Sequence, residues 1–226
     1  MWLSNSSVGR KVVMSVSGLF LILFLTFHMA MNLVAVFSME GYNMVCEFLG
    51  ANWYALAATL VLAAGFLIHI VYAFWLTIQN RTARGTERYA VVEKPKTVEW
   101  ASQNMLVLGI IVILGLGLHF AQFWYKMQFA EIIGVHDLGE FGPTAGAEYI
   151  QLYFSNIVYV ILYLVWFVAI WFHLTHGFWS ALQTLGWSNK EWFERWKCVS
   201  NIFATVIFAG FALVVVFFYA KSLMGC

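Results

Sequence analysis

Five of the six histidines in this chain stand inside or beside long apolar stretches, where water cannot solvate an imidazole. They are His28, His69, His119, His173 and His176, whereas His136 belongs to a polar loop. Ionisable residues in such surroundings are rare and are usually functional. Neutral imidazole is a good iron ligand, and coordination removes the cost of leaving a polar ring bare in lipid. These five residues are therefore candidates for holding a metal or cofactor.

The elements that must position them are long apolar helices. The chain is 62% hydrophobic and only 10% charged, against roughly a quarter charged in a soluble domain. Five stretches reach the roughly 20 residues that a membrane crossing needs: Val12–Phe37, Trp53–Ile78, Met105–Tyr125, Tyr149–Trp179 and Ile202–Ala220. The first is too long for a signal-peptide core and lacks a cleavage site, so it should be retained. The sequence predicts an all-α membrane protein in which residues 1–226 form a single bundle of five transmembrane helices.

The lysines and arginines predict the orientation of this bundle. Of the twelve, ten lie before the first stretch or in the second and fourth loops, and only Lys126 and Lys221 belong to the other side. The positive-inside rule then places the N-terminus in the cytoplasm and the C-terminus outside. We expect a bacterial cytoplasmic (inner) membrane. The fourth loop, which mixes tryptophans with charges, is predicted to form a short amphipathic helix at the cytoplasmic interface.

Composition also excludes some functions. A net charge of +1 gives no reason to expect nucleic-acid binding. The three cysteines, at positions 46, 198 and 226, form neither a CxxC nor a CxxCH motif. This argues against covalently attached haem and against a zinc or iron–sulfur site built by this chain.

Four of the histidines fall into two layers. On the outward-running helices, His28 lies 17 residues past Lys11, roughly 25 Å from the cytoplasmic end at 1.5 Å per residue, and His119 is near the outer end. On the inward-running helices, His69 and His173 lie near the cytoplasmic end. One histidine from each of four helices, two at each level, matches bis-histidine ligation of two haems b.

Glycines near these histidines support the same prediction. Three of the four candidate ligands have a glycine four residues away on the same helix face, namely Gly65, Gly115 and Gly177. A missing side chain would leave room for the edge of a macrocycle. His28 has Asn32 instead. Because small residues also let bare helices approach closely, a haem-free bundle with histidines hydrogen-bonded across helices stays open.

His176 is an ambiguous fifth candidate, one turn past His173. It could replace His173 as a ligand, contact a haem propionate or cap the interface. The position of Gly177, four residues after His173, favours His173.

Several segments together carry a family resemblance. They are SSVGRK before the first helix, HMAMN within it, GFLIHIVYAFW on the second, GLHFAQFW on the third and FHLTHGFWSALQTLGW ending the fourth. Over nearly its whole length the chain resembles the cytochrome b membrane anchor of succinate dehydrogenase and fumarate reductase. The resemblance is to the single-subunit type with five helices and two haems b. The last segment is the most specific, and by its match His173 is the fourth ligand.

The resemblance implies a division of labour within a respiratory complex of the tricarboxylic acid cycle. His28 and His119 would hold the distal haem iron, and His69 and His173 the proximal one. A flavoprotein with FAD and the dicarboxylate site, and an iron–sulfur protein, would dock on the cytoplasmic face. This chain would pass electrons between the iron–sulfur subunit and a membrane quinone, expected to be menaquinone. The resulting succinate:quinone oxidoreductase heterotrimer could also dimerise.

One departure from the family concerns protons. Some menaquinol-dependent fumarate reductases of this type have a Glu two residues before the fourth ligand, where this chain has Trp171, which puts a transmembrane proton route in doubt. We expect quinone protons to come from the outer side, where Glu47 could act as donor or acceptor or could simply be a solvated carboxylate.

Two other functions remain open at this stage. One is a haem b subunit of a hydrogenase or formate dehydrogenase, which normally receives electrons from outside the membrane, whereas the basic loops here favour an inside partner. The other is a haem-free membrane transporter in which the histidines relay protons.

Overall fold

The computed structural model describes residues 6–50, 52–84 and 99–225, and in these ranges the chain is helical with no strand. Five helices are long and apolar enough to cross a membrane, which confirms the predicted all-α fold with five spans and gives a multi-pass membrane protein. Three of the ten lysines and arginines counted above for the orientation, Arg88, Lys94 and Lys96, lie outside the described residues, and so does Cys226. The helices are α1 (Ser7–Phe37), α2 (Met39–Gly50), α3 (Trp53–Arg84), α4 (Trp100–Gln103), α5 (Met105–Ile133), α6 (Gly146–Phe154), α7 (Ile157–Thr184) and α8 (Phe193–Leu223).

The predicted fourth stretch, Tyr149–Trp179, consists of two helices. α6 ends before Ser155, and the side chain of Asn156 accepts a hydrogen bond from the Val158 amide at 2.9 Å to cap the start of α7. An Asn at this position satisfies one of the amides that a helix start leaves unpaired. Hydropathy alone missed this break because apolar residues lie on both sides of it.

α2 was not predicted, and one serine makes the corner that leads into it. Ser38 has extended backbone angles, with φ −154° and ψ 114°, and its amide donates to the Val34 carbonyl as α1 ends. Its hydroxyl accepts a hydrogen bond from the Gly41 amide at 2.9 Å, which caps the first turn of α2. The chain therefore turns back toward the bundle directly after α1.

The fourth loop differs from its prediction. Gly186 takes a left-handed φ of 84°, which ends α7, and the Asn189 side chain accepts hydrogen bonds from the amides of Glu191 and Trp192. α8 then begins at Phe193. The predicted separate amphipathic helix is replaced by a turn and the first turns of α8.

The two ends of the bundle are named here by the termini. The N-side is formed by the start of α1, the end of α3, α4, the end of α7 and the start of α8. The C-side is formed by α2, α6 and the opposite ends of the five long helices. On the N-side the Arg10 guanidinium lies 5.5 Å from the centre of a Trp75 ring, and on the C-side Lys221 Nζ lies 3.1 Å from Met39 Sδ.

The long helices differ in how much of their surface the protein covers. α7 and α8 pack along each other. In the most apolar 18-residue segment of each helix, 33% of the residues are buried inside the protein. α3 packs chiefly on α1, and only 6% of the residues in its most apolar 18-residue segment are buried. Apolar side chains that remain exposed on such helices are suited to lipid, which is as apolar as they are.

Candidate functional site: two facing histidine pairs

α1, α3, α5 and α7 surround the histidines as four neighbouring helices. α1 packs on α3 and on α7, α5 packs on α7, and α3 approaches α5 more loosely. Within the described residues, the backbones of α1 and α5, and those of α3 and α7, make few close contacts or none. Contact within either of these two helix pairs is therefore made mainly by side chains.

The C-side pair joins α1 to α5 across this centre. The ring centres of His28 and His119 are 5.8 Å apart, and their planes meet at 82°. Phe24 stacks on His28 at 5.4 Å, and Phe123 lies 5.2 Å from His119. Both imidazoles thus lie in aromatic surroundings, and their planes are nearly perpendicular to each other.

The N-side pair joins α3 to α7 in the same way. The ring centres of His69 and His173 are 6.3 Å apart, with their planes at 66°. The structure therefore brings together the same two pairs that depth along the helices predicts. The His136 loop takes no part in either pair.

Ring separation is a test of whether one metal could lie between the members of a pair. With metal–imidazole bonds of about 2 Å and about 1 Å from the bound nitrogen to the ring centre, two imidazoles on one iron have centres about 6 Å apart. The observed 5.8 and 6.3 Å are compatible with this spacing, and they are also ordinary separations for packed rings. The donor type and the separation therefore both fit axial ligation of two haems.

The hydrogen bonds of the histidines test the haem-free alternative, which requires partners across helices. Nδ1 of His119 and Nδ1 of His173 are buried without a hydrogen-bond partner. Of the four paired histidines, His69 alone has a partner of this kind among the described residues, the Ser17 hydroxyl on α1, at 3.2 Å from Nδ1. Hydrogen bonding among the described residues therefore leaves one nitrogen of His119 and one of His173 unpaired, at a cost of about 1–3 kcal/mol for each buried polar group.

His28 differs, because its polar neighbour comes from its own helix. The Asn32 amide nitrogen lies 3.4 Å from Nε2 and 3.5 Å from Nδ1, while it donates a shorter bond of 2.8 Å to the His28 carbonyl. The Tyr42 hydroxyl on α2 in turn donates to the Asn32 side-chain oxygen at 3.1 Å. Sequence reasoning noted Asn32 but missed Tyr42, because α2 was not predicted.

The predicted glycines have different surroundings. A Cβ on Gly177 would meet nothing within 4 Å, whereas one on Gly65 would meet Phe20 at 2.6 Å and one on Gly115 would collide with the Trp166 indole. The space beside Gly65 and Gly115 is thus occupied by aromatic side chains in this structure. A macrocycle edge at either place requires Phe20 or Trp166 to adopt another rotamer.

Two glycines that sequence reasoning missed lie against the N-side pair. A Cβ on Gly18 of α1 would lie 3.3 Å from His69 Cε1, and one on Gly109 of α5 would lie 4.0 Å from His173 Cε1. They belong to α1 and α5, the helices that carry the C-side pair. The sequence analysis looked for glycines four residues from each histidine on the same helix. A search for glycines at the same depth on the other helices could have found Gly18 and Gly109.

His176 belongs to a separate N-side cluster. Its Nδ1 lies 3.5 Å from one Glu99 carboxylate oxygen, and Lys197 Nζ lies 3.5 Å from the other. The Trp179 ring meets His176 edge-on at 4.9 Å. His176 thus ties the start of α4 to α7 and α8 together with these groups.

Glu47 and Trp171, the two residues of the predicted proton chemistry, lie apart from the histidine pairs. Glu47 is on the exposed face of α2, and the Trp171 indole donates a hydrogen bond to the Thr205 hydroxyl on α8 at 3.0 Å. The inward-facing residues of α2 are instead Tyr42 and Cys46, and burial raises the pKa of the Cys46 thiol to about 11.

The fold and the site together define a class of protein: a helical membrane protein with two histidine pairs at different depths. Within the described ranges no group of three or more His, Cys, Asp or Glu side chains could hold a metal ion. A haem iron, however, takes four ligands from its porphyrin and at most two from the protein. No protein-family model, no curated protein and no solved structure matches the chain.

Proposed function

We propose that this protein is the dihaem cytochrome b membrane anchor of a succinate dehydrogenase or fumarate reductase complex. In that role it passes electrons between an iron–sulfur subunit and a membrane quinone, for which menaquinone is our expectation. The dicarboxylate site belongs to a flavoprotein subunit, and the complex lies in a bacterial cytoplasmic membrane. We propose this complex, and not another haem-containing one, because the sequence segments quoted above resemble those of its membrane anchor.

The observation that carries the proposal is the meeting of four histidines from four helices in two pairs with ring centres 5.8 and 6.3 Å apart. His28 and His119 would hold one haem b iron, and His69 and His173 the other. Haem b, when bound, supplies reversible one-electron chemistry. The chain's own residues fix the imidazoles, exclude water with aromatic side chains and keep the two pairs at separate depths.

The predicted orientation supports a cytoplasmic electron-transfer partner. Lys190, Arg195 and Lys197 belong to the turn before α8 and its first turns, on the N-side. We propose that the iron–sulfur and flavoprotein subunits dock on this face, nearest the His69–His173 pair. The quinone would react nearer the C-side pair.

The first experiment is a haem assay on the purified chain. A dithionite-reduced minus oxidised spectrum should show a b-type α-band, and the pyridine haemochrome assay should give two haems per chain. A His136→Ala variant serves as a control and should keep both. Absence of b-type absorbance from the wild-type protein would end the proposal.

Co-purification distinguishes this complex from the hydrogenase and formate dehydrogenase alternatives. An affinity tag on this chain should recover a flavoprotein and an iron–sulfur protein with succinate:quinone reductase or fumarate reductase activity. Recovery of a hydrogenase or formate dehydrogenase catalytic subunit instead would retain the haem assignment and refute the complex.

A further inference from the structure

A connected set of polar side chains links the C-side surface to His28. Asn32, one turn beyond His28 on α1, donates through its amide nitrogen to the His28 carbonyl at 2.8 Å, and the same nitrogen lies 3.4 Å from Nε2 of the ring. The amide oxygen accepts the Tyr42 hydroxyl proton at 3.1 Å. Tyr42 and the His28 carbonyl together therefore fix which end of the Asn32 amide faces the His28 ring.

Tyr42 is itself held in a narrow space. It is 9% exposed, and the backbone of α6 presses against it at Gly146, where an added Cβ would lie 2.9 Å from the Tyr42 ring and 2.5 Å from Cys46 Sγ. Only a glycine allows this approach. Burial raises the pKa of the Tyr42 hydroxyl, so it remains a donor over the whole neutral range.

A second contact fixes α2 to α6 beside Tyr42. The Asn43 side-chain oxygen accepts a hydrogen bond from the Ala147 amide, and its amide nitrogen donates to a Glu148 carboxylate oxygen, each at 2.8 Å. α2 is thus attached on one side to α6 and on the other, through Tyr42, to α1. A rigid support of this kind is what a precisely oriented ligand needs, because ligand side chains are oriented by the groups that bond them.

We propose that Tyr42 is a positioning residue for the C-side pair: by holding the Asn32 amide, it fixes the orientation of the His28 imidazole relative to that of His119. This inference rests on the proposed haem function. Asn32 makes the contact with His28, and Tyr42 acts through Asn32. Their joint effect is to maintain the large angle between the two imidazole planes, 82° in this structure.

The test uses the electron paramagnetic resonance spectrum of the oxidised protein, because the g values of low-spin ferric haem depend on the angle between the two axial imidazole planes. Tyr42→Phe removes only the hydroxyl, and Asn32→Ala removes the amide. Tyr149→Phe is the matched control, since Tyr149 is a buried C-side tyrosine whose hydroxyl bonds the Phe141 main chain instead. His28→Ala identifies which signal belongs to the C-side pair.

We expect Tyr42→Phe and Asn32→Ala to keep two haems per chain and to shift the signal that His28→Ala removes, together with the midpoint potential of that haem. The other signal should stay unchanged, and Tyr149→Phe should shift neither. If both variants keep two haems with unaltered signals and potentials, or merely lower the melting temperature, the positioning role is refuted and the haem proposal stands. If the wild-type chain binds no haem, both fail.

Discussion

At the residue scale, the free-energy cost of burying an imidazole in apolar surroundings depends on the hydrogen-bond or metal partners of its two nitrogens. His69 has the Ser17 hydroxyl, and His28 has the Asn32 amide at a longer distance. Nδ1 of His119 and of His173 has no partner. Each pair thus combines one histidine with a polar side chain beside its ring and one whose Nδ1 has no partner among the described residues. A shared metal would bind one nitrogen of each ring.

Removal of single histidines tests this pairing. We expect His69→Ala and His173→Ala each to abolish the same haem and spare the other, because one lost axial ligand opens the coordination of the shared iron. The pyridine haemochrome content should fall from two haems per chain to about one, and the remaining α-band should be identical in the two variants. Loss of different haems in the two variants would refute the layer pairing.

The cysteines allow a prediction that does not depend on any cofactor. Burial is the main cause that raises the pKa of Cys46 to about 11, whereas Cys198 is exposed. Because the thiolate is the reactive form, Cys46 stays protonated at neutral pH, and its reactivity should rise only as the pH approaches 11. Mass spectrometry after timed maleimide labelling at pH 7 should show Cys198 modified well before Cys46. Equal rates in the native protein would contradict this, and denatured protein provides the reference.

At the element scale, α5 carries the least regular part of the C-side. Directly after His119 it becomes a π-helix over Phe120–Phe129, a geometry that is rare and frequent at functional sites. The wider turn changes which residues face the bundle. It places Gln122 inside at 5% exposure, where its side-chain oxygen accepts the Tyr163 hydroxyl proton at 2.8 Å.

Two glycines of α5 provide a matched pair of substitutions. A Cβ on Gly115 would collide with the Trp166 indole, which is held by a 3.0 Å hydrogen bond to the Val112 carbonyl, whereas a Cβ on Gly117 would meet nothing within 4 Å. We expect Gly115→Ala to destabilise the protein by about 1–3 kcal/mol through overpacking. Gly117→Ala should be neutral or stabilising by up to about 1 kcal/mol.

Thermal unfolding in detergent, followed by circular dichroism, measures the difference between the two variants. The haem content of both should be recorded in parallel, because Trp166 lies 5.9 Å from the His119 ring. Equal melting temperatures of the two variants would contradict the prediction, because the Trp166 side chain would then move away from Gly115 at no cost in stability.

The elements show what the sequence could and could not predict. Apolar length predicts the five spans, and the helical rise predicts which histidines share a level. Neither reveals α2, because the polar residues between Met39 and Gly50 form a helix through the Ser38 cap and contacts with α6. Neither reveals that Gly65 and Gly115 are covered, because that depends on the rotamers of aromatic residues on other helices.

At the scale of the whole molecule, the charges are distributed unevenly between the two ends of the bundle. On the N-side, Glu99 is shared by Lys197 and His176. On the C-side, Lys126 pairs with Glu140 and Lys221 contacts Met39. Among the residues that the structure describes, seven lysines and arginines belong to the N-side and two, Lys126 and Lys221, to the C-side. This asymmetry is the property that the positive-inside rule uses.

Reporter fusions test the resulting orientation. Because the five spans place the start of α1 and the end of α8 on opposite sides, alkaline phosphatase fused after residue 225 should be active and green fluorescent protein at the same position dark. Fusions in the turn between α7 and α8, after Lys190, should behave in the opposite way, since that turn should stay with the N-side in the cytoplasm. Fluorescence at the C-terminal fusion and phosphatase activity after Lys190 would reverse the orientation. The His69–His173 pair would then face the outside, and a cytoplasmic iron–sulfur partner could no longer dock beside it.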